Sequence, residues 1–295
     1  MPLPSSLTGK PRVPAPEPLP APVIDAHTHL DATGADTDEQ IAAALRRAAD
    51  VGVEAVVTVA DDLASARWAA QAAGRHATLA AAVALHPTRS DALDDAARTE
   101  LAELAALPQV VAVGETGLDH YWPSRGVGAD PAVQAEAFAW HIQLAKDVGK
   151  PLMIHDRDAH AQVLDVLAAE GAPEQVIFHC FSGDEAFARR CTEQGWYLSF
   201  AGPVSFRNAP ELRRAVTVVP DELLLAETDA PFLTPHPHRG TVNEPTALPY
   251  TVRAIADLRA SGATGTAGEP RPASSEELAD TCRLLAANAR RVYRL

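Results

Sequence analysis

The segment Val23–Leu30, VIDAHTHL, carries two histidines two positions apart behind an aspartate. In an extended strand, residues two apart share a face, so Asp25, His27 and His29 project together. Neutral imidazoles are common ligands of divalent cations, and two on one face suit a metal site. The competing reading is a pair of buried histidines satisfied by hydrogen bonds, because a buried ring needs a partner of one kind or the other. Four further apolar runs are followed by the same donor types: Glu115 in VAVGETGLD, His155 in PLMIHDR, His179 in VIFHCFSG and Asp229 in LLLAETDAPFL. Any one of these histidines alone is more often a packing or loop residue, so the case rests on whether the fold brings the six together.

The elements that must position them alternate. Strands are expected to start near residues 23, 53, 79, 110, 151, 176, 196 and 223. Helical spacing fills the gaps at Thr37–Ala49, Leu63–Gly74, Asp91–Ala106, Pro131–Val148, Ala159–Ala169, Glu185–Gln194 and Pro210–Val218. One βα unit per strand requires a parallel sheet with crossover helices, and eight units favour a closed (β/α)8 barrel over an open doubly wound sheet. No glycine-rich nucleotide loop follows the first strand, which also disfavours the open sheet. Two more helices are expected at Pro245–Ala260 and Glu276–Val292.

In such a barrel the C-terminal strand ends share one rim, so His27, His29, Glu115, His155, His179 and Asp229 converge there. A structural zinc is saturated by four ligands, whereas two ions sharing a carboxylate use all six and leave positions for water and substrate. Asp25, Asp119, Asp156 and Glu227 read as acceptors orienting the ligand histidines or as surface charges. His86, in ALHP, stands on the same rim as either a substrate contact or a turn residue before Pro87.

The ordered motifs DAHTHLD, ALHP, GETGLDHY, IHDRDA, HCFSG, ETDAPFLTP, RGTVNEP and NARRVY span Val23 to Tyr293. Together they resemble the TatD family of metal-dependent deoxyribonucleases, within the amidohydrolase-like barrels. The resemblance implies that His27, His29 and Asp229 hold one divalent ion, that His155 and His179 hold a second, and that Glu115 bridges or supports both. It further implies hydrolysis of phosphodiester bonds in DNA from a strand end. Ala84 stands where such proteins often have glycine and Thr116 where isoleucine is usual; neither change removes a ligand.

Two such ions, Zn, Mg or Mn, would lower the pKa of a water and neutralise charge on phosphoryl oxygens. Asp229 is then the expected proton acceptor, with Glu115 next in line. Arg157 and Arg239 are candidate phosphate contacts, with surface salt bridging as the alternative for each. Ser182 either donates to a phosphate or caps the next helix. No GxSxG elbow supports a serine nucleophile.

Composition sets the limits. The 295 residues, 47% of them hydrophobic, suffice for one barrel domain, expected over residues 22–295. Residues 1–21 are proline-rich with few large apolar side chains and are expected to be a disordered tail whose removal changes nothing. Residues 261–275, SGATGTAGEPRPASS, are expected to form a flexible loop. The absence of a leader or an apolar span points to the cytoplasm, and three cysteines without CxxC spacing are expected to be reduced. A net charge of −14 argues against tight nonspecific DNA binding but not against chemistry on a DNA strand end, single-stranded DNA being the expected substrate. No membrane contact and no obligate protein partner are implied. The alternatives are an amide or ester hydrolase on the same two-metal site, including an aminoacyl-tRNA deacylase, and a non-catalytic metal-binding scaffold.

Overall fold

In the computed structural model, which describes residues 7–262 and 270–295, eight strands form one sheet in chain order, β1 to β8. Strands and helices alternate as a (β/α)8 barrel, as the spacing of the apolar runs predicts. The chain divides into two compact units, one of Met1–Val57, Gly183–Arg291 and Leu295, the other of Thr58–Ser182 and Val292–Arg294.

The first unit contains β1 (Val23–Thr28), α1 (Asp38–Asp50) and the start of β2 (Val53–Val59). It also contains α6 (Glu185–Glu193), β7 (Tyr197–Phe200), α7 (Pro210–Val218), β8 (Leu224–Ala226), α8 (Leu248–Ser261) and most of α9 (Ser275–Tyr293). Every residue of β1 and β8 is buried. The chain leaving β8 returns to β1 through Asp229 N–H to His27 O, 2.9 Å, and His29 N–H to Ala230 O, 2.7 Å. Helix α1 buries Ile41, Ala44, Leu45 and Ala48, one face of a 3.6-residue repeat, and starts at a capping box between Thr37 and Gln40.

The second unit contains α2 (Leu63–Ala73), β3 (Leu79–Val83), α3 (Asp95–Ala106), β4 (Val110–Asp119), α4 (Pro131–Val148), β5 (Leu152–Arg157), α5 (His160–Glu170) and β6 (Val176–Phe178). Strands β3 to β6 pair in parallel. Aspartates 62, 94 and 130 cap α2, α3 and α4 by accepting backbone N–H bonds, each worth about 1 kcal/mol.

Two strands outrun expectation. β4 continues through GETGLD to Asp119, and β5 through His155 to Arg157, so Glu115 and His155 sit within strands rather than after them. Glycine usually marks a strand's end, but here it permits contact. A Cβ on Gly117, which has φ +131°, would lie 2.2 Å from the His155 carbonyl oxygen, and one on Gly114 would lie 2.4 Å from Met153 Cβ. Bare backbone at these two positions lets β4 lie against β5.

The proline-rich segment departs from the disordered tail that its composition predicts. Residues 1–6 lie outside the described residues, but from Pro11 the chain is docked on the first unit. Val13 and Leu19 are buried, Arg12 bridges Val242, and Leu19 N–H donates to Val51 O at 3.1 Å. Prolines donate no backbone hydrogen bond, yet their carbonyls and that of Glu17 accept from Tyr250 and Arg253. Glu244 receives both Arg12, at 2.9 Å, and Arg47, at 2.7 Å. Two apolar anchors and a set of carbonyl acceptors therefore hold a segment whose composition reads as disordered. The flexible-loop expectation falls in part on residues 263–269, outside the described residues; beyond them Arg271 N–H bonds Ser261 Oγ and Ala273 N–H bonds Asp257.

Inside α4, fully buried His141 accepts from Leu85 N–H through Nε2, at 3.3 Å, and its Nδ1 faces Ala137 O at 2.7 Å and the Thr116 hydroxyl at 3.1 Å. The unusual threonine thus has a polar partner. Burial pulls the His141 pKa down to about 4, with the Arg98 charge acting the same way.

Two outcomes follow. Deleting residues 1–20 should lower stability by about 2 to 4 kcal/mol in urea denaturation, because two apolar side chains lose their burial and the prolines of the segment give up little backbone freedom on docking; an unchanged midpoint would show that the docked segment contributes nothing. His141 binds its proton more readily unfolded than folded, so its stabilisation is complete above about pH 6.5 and declines as pH falls toward 4. Between pH 7 and 5 this amounts to about 2 kcal/mol, and His141→Gln should flatten the acid limb of the stability profile by that amount. An identical acid limb in the variant would remove His141 as the cause.

Candidate metal centre

In the first unit, β1 supplies His27 and the turn after it His29, while the turn after β8 supplies Asp229. His27 Nε2 and His29 Nε2 are 3.3 Å apart, and both face Asp229 Oδ1, at 3.6 and 3.5 Å. All three residues are buried. Asp229 adopts φ 53°, a turn conformation that short polar side chains tolerate. Its placement is set by Asp25, whose Oδ1 accepts from Thr228 N–H at 2.8 Å and whose Oδ2 accepts from the Thr228 hydroxyl at 2.5 Å. Burial pushes the Asp25 carboxyl up to about 8, against the lowering effect of the Thr228 hydrogen bonds. Asn243, from RGTVNEP, donates to the carbonyls of Thr228 and Phe232.

In the second unit, three donors meet more tightly. Glu115 Oε2 lies 2.6 Å from His179 Nε2 and 3.1 Å from His155 Nδ1, and the two imidazole nitrogens are 3.3 Å apart. The other side of the His155 ring, Nε2, faces Asp119 Oδ2 at 3.1 Å, while Asp119 Oδ1 accepts from Trp122 N–H at 3.0 Å. Asp119 therefore orients a ligand-type histidine, one of its two sequence readings. Burial works to raise the Asp119 pKa, but His155 and Trp122 N–H hold it below the ordinary carboxylate value. Desolvation works to lower the His155 pKa, yet Asp119 and Glu115 hold it above the ordinary histidine value.

The other expected residues have mixed placements. His86 Nδ1 accepts from Thr88 N–H and lies 2.8 Å from its hydroxyl, capping the Pro87–Ala92 turn, and the ring meets His155 edge-on at 4.4 Å between centroids. It is a turn residue that also touches the second cluster. Arg157, at the exposed end of β5, lies over the Tyr121 ring at 3.8 Å, and Arg239 over Phe206 at 4.3 Å. Ser182 donates to Asp156 O at 3.2 Å and caps nothing; Asp184 caps α6. Asp156 pairs with His160 at 2.7 Å, and Glu227 is fully buried at the end of β8. Sequence reasoning missed Gln134 of α4, which brackets Asp119 by accepting its N–H and donating to its carbonyl. The available signal was a glutamine in helical register with Phe138, His141 and Ala145 on the buried face of α4.

The donor sets fit divalent cations. In each unit three nitrogen or carboxylate atoms are brought within 3.6 Å of one another, an arrangement that crowds lone pairs unless a proton or a cation lies among them. A (β/α)8 barrel with such clusters at its strand ends has the architecture of a metal-dependent hydrolase. A family model described as "TatD related DNase" matches residues 24–294. The chain belongs to the TatD family of metal-dependent hydrolases. It is 65% identical over 237 residues, 80% of this chain and 90% of the relative, to the "Uncharacterized metal-dependent hydrolase TatD" of Mycobacterium tuberculosis. It is 36% identical over 229 residues, 75% of this chain and 83% of the relative, to the "3'-5' ssDNA/RNA exonuclease TatD" of Cronobacter turicensis. Among solved structures, a TatD homologue from Escherichia coli K12 superposes with a TM-score of 0.77 at 27% identity, covering 92% of this chain and 98% of that one. No helix among the described residues is long and apolar enough to cross a membrane.

Because Asp119 orients His155, Asp119→Ala should weaken metal binding at the second cluster about 10- to 100-fold, the usual cost of losing an orienting acceptor. Calorimetric titration of zinc or manganese reads this directly, and an unchanged affinity would show that His155 is held without Asp119.

Proposed function

We propose that the protein hydrolyses phosphodiester bonds of nucleic acid at a strand end, with two divalent ions, zinc, magnesium or manganese. His27, His29 and Asp229 hold one ion, and Glu115, His155 and His179 the other. The observation that carries this reading is the division of the donors into two triads, each too few to saturate a cation and so leaving positions for water and a substrate oxygen. The name of the Cronobacter turicensis relative supports single-stranded nucleic acid as substrate. When bound, the ions lower the pKa of a water and offset the charge that grows on the phosphoryl oxygens.

The chain's own groups supply the remaining steps. An Asp229 carboxylate oxygen accepts the proton of the attacking water, and the turn that Asp25 and Asn243 fix keeps that oxygen in place. Glu115, buried between two imidazoles, keeps both histidines turned inward. Arg157 and Arg239, both at rest against aromatic rings, offer paired N–H donors to phosphate oxygens. The Ser182 hydroxyl is directed at Asp156 O and must rotate to reach a substrate.

Two variants separate proton transfer from metal retention. Asp229→Asn keeps an oxygen donor but loses charge and basicity, so single-turnover cleavage of a single-stranded oligonucleotide should slow by about 10²-fold or more with metal still bound. His155→Ala should lose mainly one ion and recover part of its activity in excess metal. Metal content by mass spectrometry beside the cleavage rates tells them apart; normal cleavage by Asp229→Asn would transfer the proton-acceptor role to Glu115.

A further inference from the structure

Within the second unit, the segment after Asp119 places two aromatic rings and two guanidinium groups together. Trp122 is 39% exposed and meets Tyr121 edge-on, with centroids 5.1 Å apart and planes at 86°. The guanidinium carbons of Arg125 and Arg157 lie over the Tyr121 ring, at 3.6 and 3.8 Å from its centroid, and that of Arg157 lies 5.8 Å from the Trp122 ring. The N–H groups of Arg125 go to Tyr121 O and Ser124 Oγ. Neither arginine is paired with a carboxylate among the described residues. Two arginines that stack on a tyrosine rather than pair with a carboxylate keep their charge available to an anion.

The patch is fixed to the metal cluster. Asp119 Oδ1 accepts from Trp122 N–H while its Oδ2 faces the His155 ring, and His120 N–H donates to Arg157 O at 2.9 Å across the β4–β5 edge. Arg157 itself is two residues beyond His155 on the same strand. A flat apolar ring with cations beside it, anchored to a candidate ligand histidine, has the elements of a single-strand binding surface: a π-face for a base and guanidinium groups for the flanking phosphates.

We propose that Trp122, flanked by Arg157 and Arg125, is a stacking platform for one base of a single-stranded nucleic acid, holding the strand next to the His155 cluster. The platform rests on the nucleic-acid reading above and adds to it the residue that grips the base. It is sequence-tolerant, because every base presents a π-face.

The test uses the full-length protein and a labelled single-stranded oligonucleotide with a phosphorothioate backbone, so that hydrolysis does not consume the probe. By fluorescence anisotropy, Trp122→Ala should bind about 10-fold more weakly than the unaltered protein, and Trp122→Phe should restore most of the loss, since a smaller ring still stacks. An oligonucleotide made of abasic units should bind the unaltered protein as weakly as the normal one binds Trp122→Ala, and should show no further loss with that variant. Equal affinity of Trp122→Ala and the unaltered protein, or of abasic and normal strands, would overturn the platform. Cleavage and stacking stand apart in this design. Strands that bind through Trp122 but are not cut in their phosphodiester form under any divalent metal sink the nuclease reading and support the platform. Strands that are cut yet bind Trp122→Ala normally do the reverse.

Discussion

A buried carboxylate, Asp25, ties the first strand to the turn after the last. Its two oxygens take the backbone and hydroxyl donors of Thr228, and across that junction Asp229 N–H donates to the His27 carbonyl. A hydrogen bond of this kind contributes about 0.5 to 1.5 kcal/mol, and removing either partner would leave a buried polar group with no water to replace it. The geometry of His27, His29 and Asp229 is thus a by-product of how the sheet closes within this unit. Asn243 and Glu244 extend the same arrangement outward, the first by gripping the turn's carbonyls and the second by drawing in Arg12 and Arg47.

The second cluster is built by a different device. There β4 approaches β5 so closely that Gly114 and Gly117 have no room for a side chain, and Glu115 between them is delivered to His155 on the neighbouring strand. Asp119, four residues further along β4, completes the orientation of the same ring, and Gln134 reaches out of α4 to hold the Asp119 backbone. Hydrogen bonds place the first cluster, while the second combines a close strand approach with hydrogen bonds to the residues that orient it.

Much of this was legible in the chain. Apolar runs at βα spacing gave the strand order, and Pro131–Val148, Val176–Phe178 and Pro210–Val218 begin and end where periodicity and flanking residues place them. The histidines and carboxylates at strand ends stood out because such groups after apolar runs need partners. What stayed hidden depends on tertiary contact. Glycine in GETG signals a break when read locally, but close approach to β5 keeps the strand extended. The tail's prolines signal disorder, and nothing local reveals that Val13 and Leu19 have apolar sites to enter. Ser182 read as a possible cap because its spacing suits one, but Asp184 sits closer to the start of α6 and carries the stronger acceptor. Asp119 is legible as an acid near the rim, whereas the division of its two oxygens between His155 and Trp122 depends on tertiary contact.

The pairing of β1 with the turn after β8 also has a bearing on how the site opens. The amide hydrogens of His29 and Asp229 are donated across that junction, so they can exchange with solvent only when the two strands part. Parting them breaks the Asp25–Thr228 contact and the sheet along with it, which places these amides among the slowest to exchange rather than among those of a mobile loop. In the first unit, local breathing at the candidate ligand positions and disassembly of the β1–β8 pair are then a single event.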